Sequence, residues 1–237
     1  MGDLKKLGII GGLGPAATAH FYDMLTELTD AQCDQQHLEI IIYSKPQIPD
    51  RTAYILHKSD ESPVPMMITA ANALIKLGVA NIAMPCVTAH CFYDDIAQNI
   101  DVPVINMLSE AIDYLQSREI RRAGLMATDG LFESGIFSGL LAANGIDVLL
   151  PHEGEQAQIM RTIYEYKANR TSDPSATVRV ADRMKADGAE IVLLACTELS
   201  LLKRDMELDD YHVDMLEILA RCAIELSGGN CRKLLTK

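Results

Sequence analysis

The chain has 237 residues, enough for one large domain or two half-sized ones, and 49% hydrophobic against 23% charged residues exclude whole-chain disorder. Lys and Arg number 21 against 33 Asp and Glu, and the net charge of −12 argues against nucleic acid and anionic membranes as partners, while a small anionic ligand needs only a local basic residue. No segment reaches the roughly 18 consecutive apolar residues of a membrane span, and MGDLKKLGIIGG lacks a long hydrophobic region and a cleavage site, so a cytoplasmic protein is expected. Six cysteines (Cys33, Cys86, Cys91, Cys196, Cys222 and Cys231) in such a chain are expected to be free thiols.

LGIIG (7–11) is a β-branched run ending in glycines and predicts a strand, followed by a helix from about Ala16 to Cys33. LEIIIYS (38–44) is a second strand, whose unbroken apolar character predicts burial on both faces of a parallel sheet. KPQIPDRTAY is a loop, because its two prolines stop regular structure. A helix from Pro65 to Leu77 ends at Gly78, strand NIAMP (81–85) runs into Cys86, and VPVIN (102–106) is a fourth strand. The pattern then restarts: strand RAGLMAT (122–128), helix 132–143, strand IDVLLP (146–151), helix 155–168, loop TSDPSA, helix 176–187, strand EIVLLA (190–195) and then Cys196. A tail helix covers Val213 to Leu226. Alternating strands and helices predict an α/β protein with doubly wound, Rossmann-like parallel sheets.

The restart is an internal repeat. Placing AANALIKLGVANIAMPC (70–86) over VADRMKADGAEIVLLAC (180–196) brings Gly78 onto Gly188 and Cys86 onto Cys196. Placing LGIIGGLGP (7–15) over AGLMATDGL (123–131) brings Gly8 onto Gly124 and Gly14 onto Gly130. The matches recur in the same order and predict two pseudo-symmetric halves, 1–115 with the C-terminal segment 211–237, and 116–210, with the active site between them. Ligands of parallel α/β sheets bind at the carboxyl ends of the strands, where both Cys86 and Cys196 fall. A following helix N-terminus is expected to lower each thiol pKa. A single strand-end cysteine is more often a small buried hydrophobe. Two of them, facing each other across a pseudo-twofold axis, suit the removal of a proton from one face of a carbon and its return to the other.

These residues carry a resemblance. GIIGGLGPAAT (8–18), YSKPQIPDRT (43–52), MPCVTAH (84–90), ACTEL (195–199) and HVDMLEILA (212–220) fall in the order of the aspartate/glutamate racemase family, most like its aspartate racemase branch, and the resemblance covers essentially the whole chain. It implies a cofactor-independent racemase of an acidic amino acid, aspartate or glutamate, with Cys86 and Cys196 as paired catalytic thiols. It implies that Arg51 and Lys167 hold substrate carboxylates, with no metal or cofactor. Thr88, Thr128 and Thr197 are candidate hydrogen-bond donors to the substrate, and the Gly12 turn is expected to bring backbone N–H groups towards it. An exposed apolar helix face is expected to form a homodimer.

The chain departs from the family pattern after the first cysteine, where Val87 stands in place of asparagine, and after Gly130, where Leu131 stands in place of threonine. Neither side chain can hydrogen-bond a carboxylate, which leaves the reaction type better supported than the substrate and keeps a broad-specificity or catalytically silent relative in view. Gly12–Ala17 also satisfies G-x-G-x-x-A, but Tyr43 and Ser44 end the second strand where a dinucleotide site would carry an acid. Cys86, His90 and Cys91 lie close in sequence but have no second Cys/His pair at a zinc spacing. His90 is expected to order the cysteine loop, to contact substrate or to pack.

Overall fold

A computed structural model describes residues 4–232. In chain order the elements are β1 (Leu7–Gly11), α1 (Pro15–Leu28), β2 (Ile40–Ser44), α2 (Arg51–Ile55), α3 (Val64–Ile75), β3 (Asn81–Ala83), α4 (Tyr93–Ala97), α5 (Met107–Ser117), β4 (Arg122–Ala127), α6 (Asp129–Ser134), α7 (Ile136–Ala143), β5 (Asp147–Leu149), α8 (Glu153–Asn169), α9 (Ser175–Ala186), β6 (Ile191–Ala195), α10 (Thr197–Met206), β7 (His212–Asp214) and α11 (Met215–Leu226). Every strand pairing is parallel, in a three-stranded sheet β2-β1-β3 and a four-stranded sheet β5-β4-β6-β7. An isolated parallel bridge, Ile82 to Val104, adds a fourth member beside β3. The two halves therefore repeat one strand order, as the internal repeat predicts. Among the described residues no helix is long and apolar enough to cross a membrane.

Apolar runs at the sheet centres bury completely. Leu7, Ile9 and Ile10 of β1 and Val192 and Leu193 of β6 have no exposed surface, and each such side chain stabilises the fold by about 1.5–3 kcal/mol relative to exposure. Leu216, Leu219, Ala220 and Ala223 form the buried stripe of α11, which packs on α1 and α5. The last helix thus returns to the first half after β7 has completed the second sheet.

Several elements differ from their sequence expectation. The first helix stops at Leu28, short of Cys33: Thr29 is extended, its Oγ1 donates to the Leu25 carbonyl at 2.6 Å, and its backbone bridges Cys231. β2 is a sheet edge rather than a strand buried on both faces, with Ile42 38% and Tyr43 37% exposed. VPVIN makes only the bridge at Val104, because Pro103 has no N–H to extend the ladder; its carbonyl accepts from Ile82 N at 2.9 Å. The helix expected over 132–143 is two, divided by Gly135 at φ 63°. The tail begins as strand rather than helix, since Val213 pairs with Leu193 and α11 starts only at Met215. Asp214 closes β7 and caps α11, accepting from Leu216 N at 2.8 Å.

Candidate active site

Four strands point their carboxyl ends at one region. β1 leads to Gly12–Gly14, β3 to Cys86, β4 to Thr128 and β6 to Cys196. A narrow cleft opens there, and its wall includes Arg51, Cys86, Val87, Thr88, Thr128, Lys167, Cys196 and Thr197. These are all but one of the residues the sequence nominates. Leu13, Asp50, Thr52 and Glu198 complete the wall.

The halves meet closely at this cleft. Thr88 Oγ1 of the first half and Thr128 Oγ1 of the second lie 2.9 Å apart in a buried hydrogen bond. Thr128 also caps α6, its Oγ1 accepting from Leu131 N at 3.3 Å. Gly130 makes room for α2: a Cβ there would sit 2.9 Å from the Thr52 Cα.

Arg51 is the first residue of α2, a short helix capped by Asp50, which accepts from Ala53 N at 2.9 Å. The guanidinium is buried and held by three carbonyls: Nη1 donates to Ile48 at 3.2 Å and Pro49 at 2.9 Å, and Nη2 donates to Leu13 at 2.8 Å. Its Nε–H is buried without a partner. A buried donor left unpaired is costly. Lys167 stands in the last turn of α8. Burial works against its ammonium, but the charges of Glu198, Cys196, Cys86 and Asp50 outweigh it and raise its pKa. That set of neighbours puts the cation within electrostatic reach of both thiols.

Cys196 is the N-cap residue of α10. The expectation that its thiol pKa is lowered does not hold: burial, and next the Glu198 carboxylate, raise it well above the ordinary value. Its Sγ donates to Glu198 Oε2 at 3.0 Å. Cys86 precedes a 3₁₀ turn, Val87–Phe92, that leads into α4. His90, buried in that turn, sets Nδ1 3.0 Å from the Cys86 carbonyl and Nε2 3.3 Å from the Ile105 carbonyl. Burial lowers its pKa, so a neutral ring braces the cysteine loop. Among the described residues no three His, Cys, Asp or Glu side chains cluster as metal ligands would.

Two further sequence expectations need correction. Gly12 lies outside the cleft wall, in an adjoining, more open hollow that shares Arg51, Lys167 and Glu198 with it. Its N–H is taken by Thr18 Oγ1 at 2.9 Å and is not offered to a ligand. Its role is conformational, with φ 86° and a Cα so close to the Lys45 backbone that a Cβ would approach to 2.5 Å. Leu131 is 1% exposed in the core and does not line the cleft, so its difference from threonine is a packing matter. Val87 does line it. Glu198 is the residue that sequence reasoning missed, although it stands in the quoted ACTEL motif, two places after Cys196.

Comparison with known proteins agrees with this geometry. A family model described as Asp/Glu/hydantoin racemase matches residues 10–223. The fold superposes on an aspartate racemase from Picrophilus torridus with a TM-score of 0.86 and 29% identity, covering 97% of this chain and 96% of that one. The broad specificity amino-acid racemase RacX of Bacillus subtilis (strain 168) is 27% identical over 224 residues, 92% of this chain and 96% of its own length. A glutamate racemase from Francisella tularensis, 15% identical with a TM-score of 0.69 over 94% of this chain and 81% of that one, shares the fold.

Proposed function

The chain belongs to the Asp/Glu/hydantoin racemase family, and from that premise we propose that it racemises a small acidic amino acid, aspartate or glutamate, without a cofactor, by passing the α-proton between Cys86 and Cys196. The observation that carries the reading is the cleft wall: both strand-end thiols, Arg51 and Lys167 line the same narrow space.

In this reading one cysteine, as thiolate, takes the α-proton. The Cα–H bond breaks, an S–H bond forms, and the electron pair moves into the α-carboxylate as an enediolate. The opposite thiol gives its proton to the other face of Cα, its S–H bond breaks, and the configuration inverts with no change in redox state. Each turnover leaves the two cysteines with exchanged protonation, ready for the opposite enantiomer. An α-proton beside a carboxylate is a weak acid, so charge must be stabilised where it develops. Arg51, fixed by three carbonyls and with Nε–H unpaired, is pre-organised to meet a carboxylate. Lys167 supplies a second cation. Thr88, Thr128 and Thr197 offer hydroxyls to the remaining oxygens.

A second reading is that the protein accepts a wider set of amino acids. Its support is Val87, an apolar side chain on the cleft wall, together with the broad specificity named for the Bacillus subtilis relative. Exposed Ile42 and Tyr43 on the edge strand β2, with Tyr22 of α1 49% exposed nearby, support a homodimer. Six free thiols support a cytoplasmic setting.

The test is incubation of purified protein with L-aspartate, L-glutamate and a panel of neutral L-amino acids, followed by chiral chromatography. The D-isomer of an acidic amino acid is the expected product. Turnover of neutral amino acids alone would favour the second reading, and no D-isomer from any of them would contradict both.

A further inference from the structure

The two cysteines occupy equivalent repeat positions, but their neighbours do not match. Two residues after Cys86 stands Thr88, which is bonded away from its cysteine to Thr128 at 2.9 Å. Two residues after Cys196 stands Glu198, whose Oε2 accepts the Cys196 thiol at 3.0 Å and lies 3.4 Å from Thr197 Oγ1. Glu198 is only 5% exposed. Its Oε1 faces the bare Cα of Gly14, where a Cβ would come to 3.3 Å. A glutamate is seldom so buried unless paired, and here its hydrogen-bond donors are the reacting thiol and the adjacent threonine hydroxyl. The charged and titratable groups facing this pair are Lys167 and Tyr164 from α8, Arg51 and Asp50 at the start of α2, and Cys86 beyond β3.

We propose that Glu198 is a positioning residue that shares one proton with Cys196 and so makes the two thiols unequal, with Cys196 resting as the acid and Cys86 as the base. The proposal rests on the two-thiol reading above and deepens it. When Cys196 must act as base, its proton moves from Sγ to Oε2: the S–H bond breaks and an O–H bond forms, leaving a thiolate beside a neutral carboxyl. The thiolate then takes the α-proton while Cys86, first protonated by solvent, gives that proton to the opposite face. The Glu198 carboxyl afterwards releases its proton to solvent, so protons and electrons balance and the resting state returns. Burial and the neighbouring carboxylate both raise the Cys196 thiol pKa, which agrees with an acid at rest.

The experiment compares wild type, Glu198→Gln and Glu198→Asp. Alkylation of each cysteine by iodoacetamide is followed against pH by peptide mass spectrometry, and kcat/KM for racemisation is followed over the same pH range. A nearby carboxylate moves a thiol by about 1–3 pH units. In Glu198→Gln the Cys196 alkylation midpoint, and the matching limb of the rate profile, should fall by about one unit or more while the Cys86 midpoint stays. Glu198→Asp should restore part of the wild-type midpoint. Because free L- and D-substrate are equally stable, kcat/KM must change equally in both directions, and any inequality appears in kcat alone. A Cys196 midpoint and a rate limb that do not move in Glu198→Gln overturn the proposal, as does an equal shift of both thiols. If wild type fails to racemise any substrate, the two-thiol reading falls regardless of the midpoints.

Discussion

In the first half a six-residue 3₁₀ turn follows the strand-end cysteine; in the second half a ten-residue helix does. The turn carries Val87 and Thr88 into the cleft, and the helix carries Thr197 and Glu198 into it. The strand order around each cysteine is the same. The frame therefore duplicates where a thiol stands, while the residue two places on differs, a threonine bonded across the cleft in one half and a glutamate bonded to the thiol in the other. On the two-thiol reading, a pseudo-symmetric fold delivers two groups to opposite faces of a carbon. It need not deliver two equal groups.

The widest test of the comparison removes one thiol at a time. Cys86→Ala and Cys196→Ala should each lower racemisation by about 10³-fold or more, the scale of a lost general acid or base, as read by chiral chromatography. Each variant should retain solvent exchange of the α-proton from one enantiomer only, and of opposite hand in the two variants. Full racemisation by either would break the pairing of the halves.

Next in size are the cations. Arg51→Lys keeps the charge but loses the planar fork that ties Leu13, Ile48 and Pro49 together. Its kcat/KM should fall by about 10²-fold, the scale of one lost pre-organised donor. Lys167→Arg, at the more open side of the cleft, should lose less in the same steady-state assay.

The paired glycines sharpen the comparison on stability. Gly14→Ala and Gly130→Ala occupy matching repeat positions. A Cβ at Gly130 meets the Thr52 backbone at 2.9 Å, whereas one at Gly14 meets only the Glu198 carboxylate end at 3.3 Å. Overpacking against backbone should destabilise Gly130→Ala by about 1–3 kcal/mol, with Gly14→Ala affected less, as read from urea midpoints.

The smallest expected effect concerns the helix caps that follow the outer strand in each half. Asn106 caps α5, with its side chain accepting from Leu108 N at 3.1 Å and Ser109 N at 3.3 Å. Asp214 caps α11, and burial raises its pKa from 3.8 to about 6. A carboxyl with a raised folded-state pKa binds its proton more tightly when folded. Its contribution is therefore full below about pH 4 and is lost as pH rises through about 6. Asp214→Asn keeps a capping oxygen and removes the titration. It should flatten the stability profile between about pH 4 and 6, measured by thermal unfolding across pH. An unchanged slope would contradict the assignment.

Much of this was legible in the chain. The cysteine and glycine matches marked the two halves, and the strand ends named most of the cleft wall. What stayed hidden depends on contacts that local pattern does not record. α2 is too short to form alone and exists through its Asp50 cap and the close approach of Thr52 to Gly130. β7 has three residues and is a strand only because β6 offers it an edge; in the sequence the periodicity of α11 runs straight over it. The role of Glu198 follows from its burial against a thiol, which the order of letters in ACTEL does not show. Gly12 misled for a related reason: the turn is as expected, but Thr18 has taken its N–H.

The central claim is that two thiols work from opposite faces. Its most direct measurement is racemisation of L-aspartate in deuterated buffer, with proton NMR and chiral separation during the first few per cent of turnover. The account predicts D-aspartate carrying deuterium at Cα, while the unreacted L-aspartate still carries protium, because the proton removed and the proton returned belong to different cysteines. Protium retained in the D-product would mean that a single group removes and returns the same proton, and would contradict the two-thiol account.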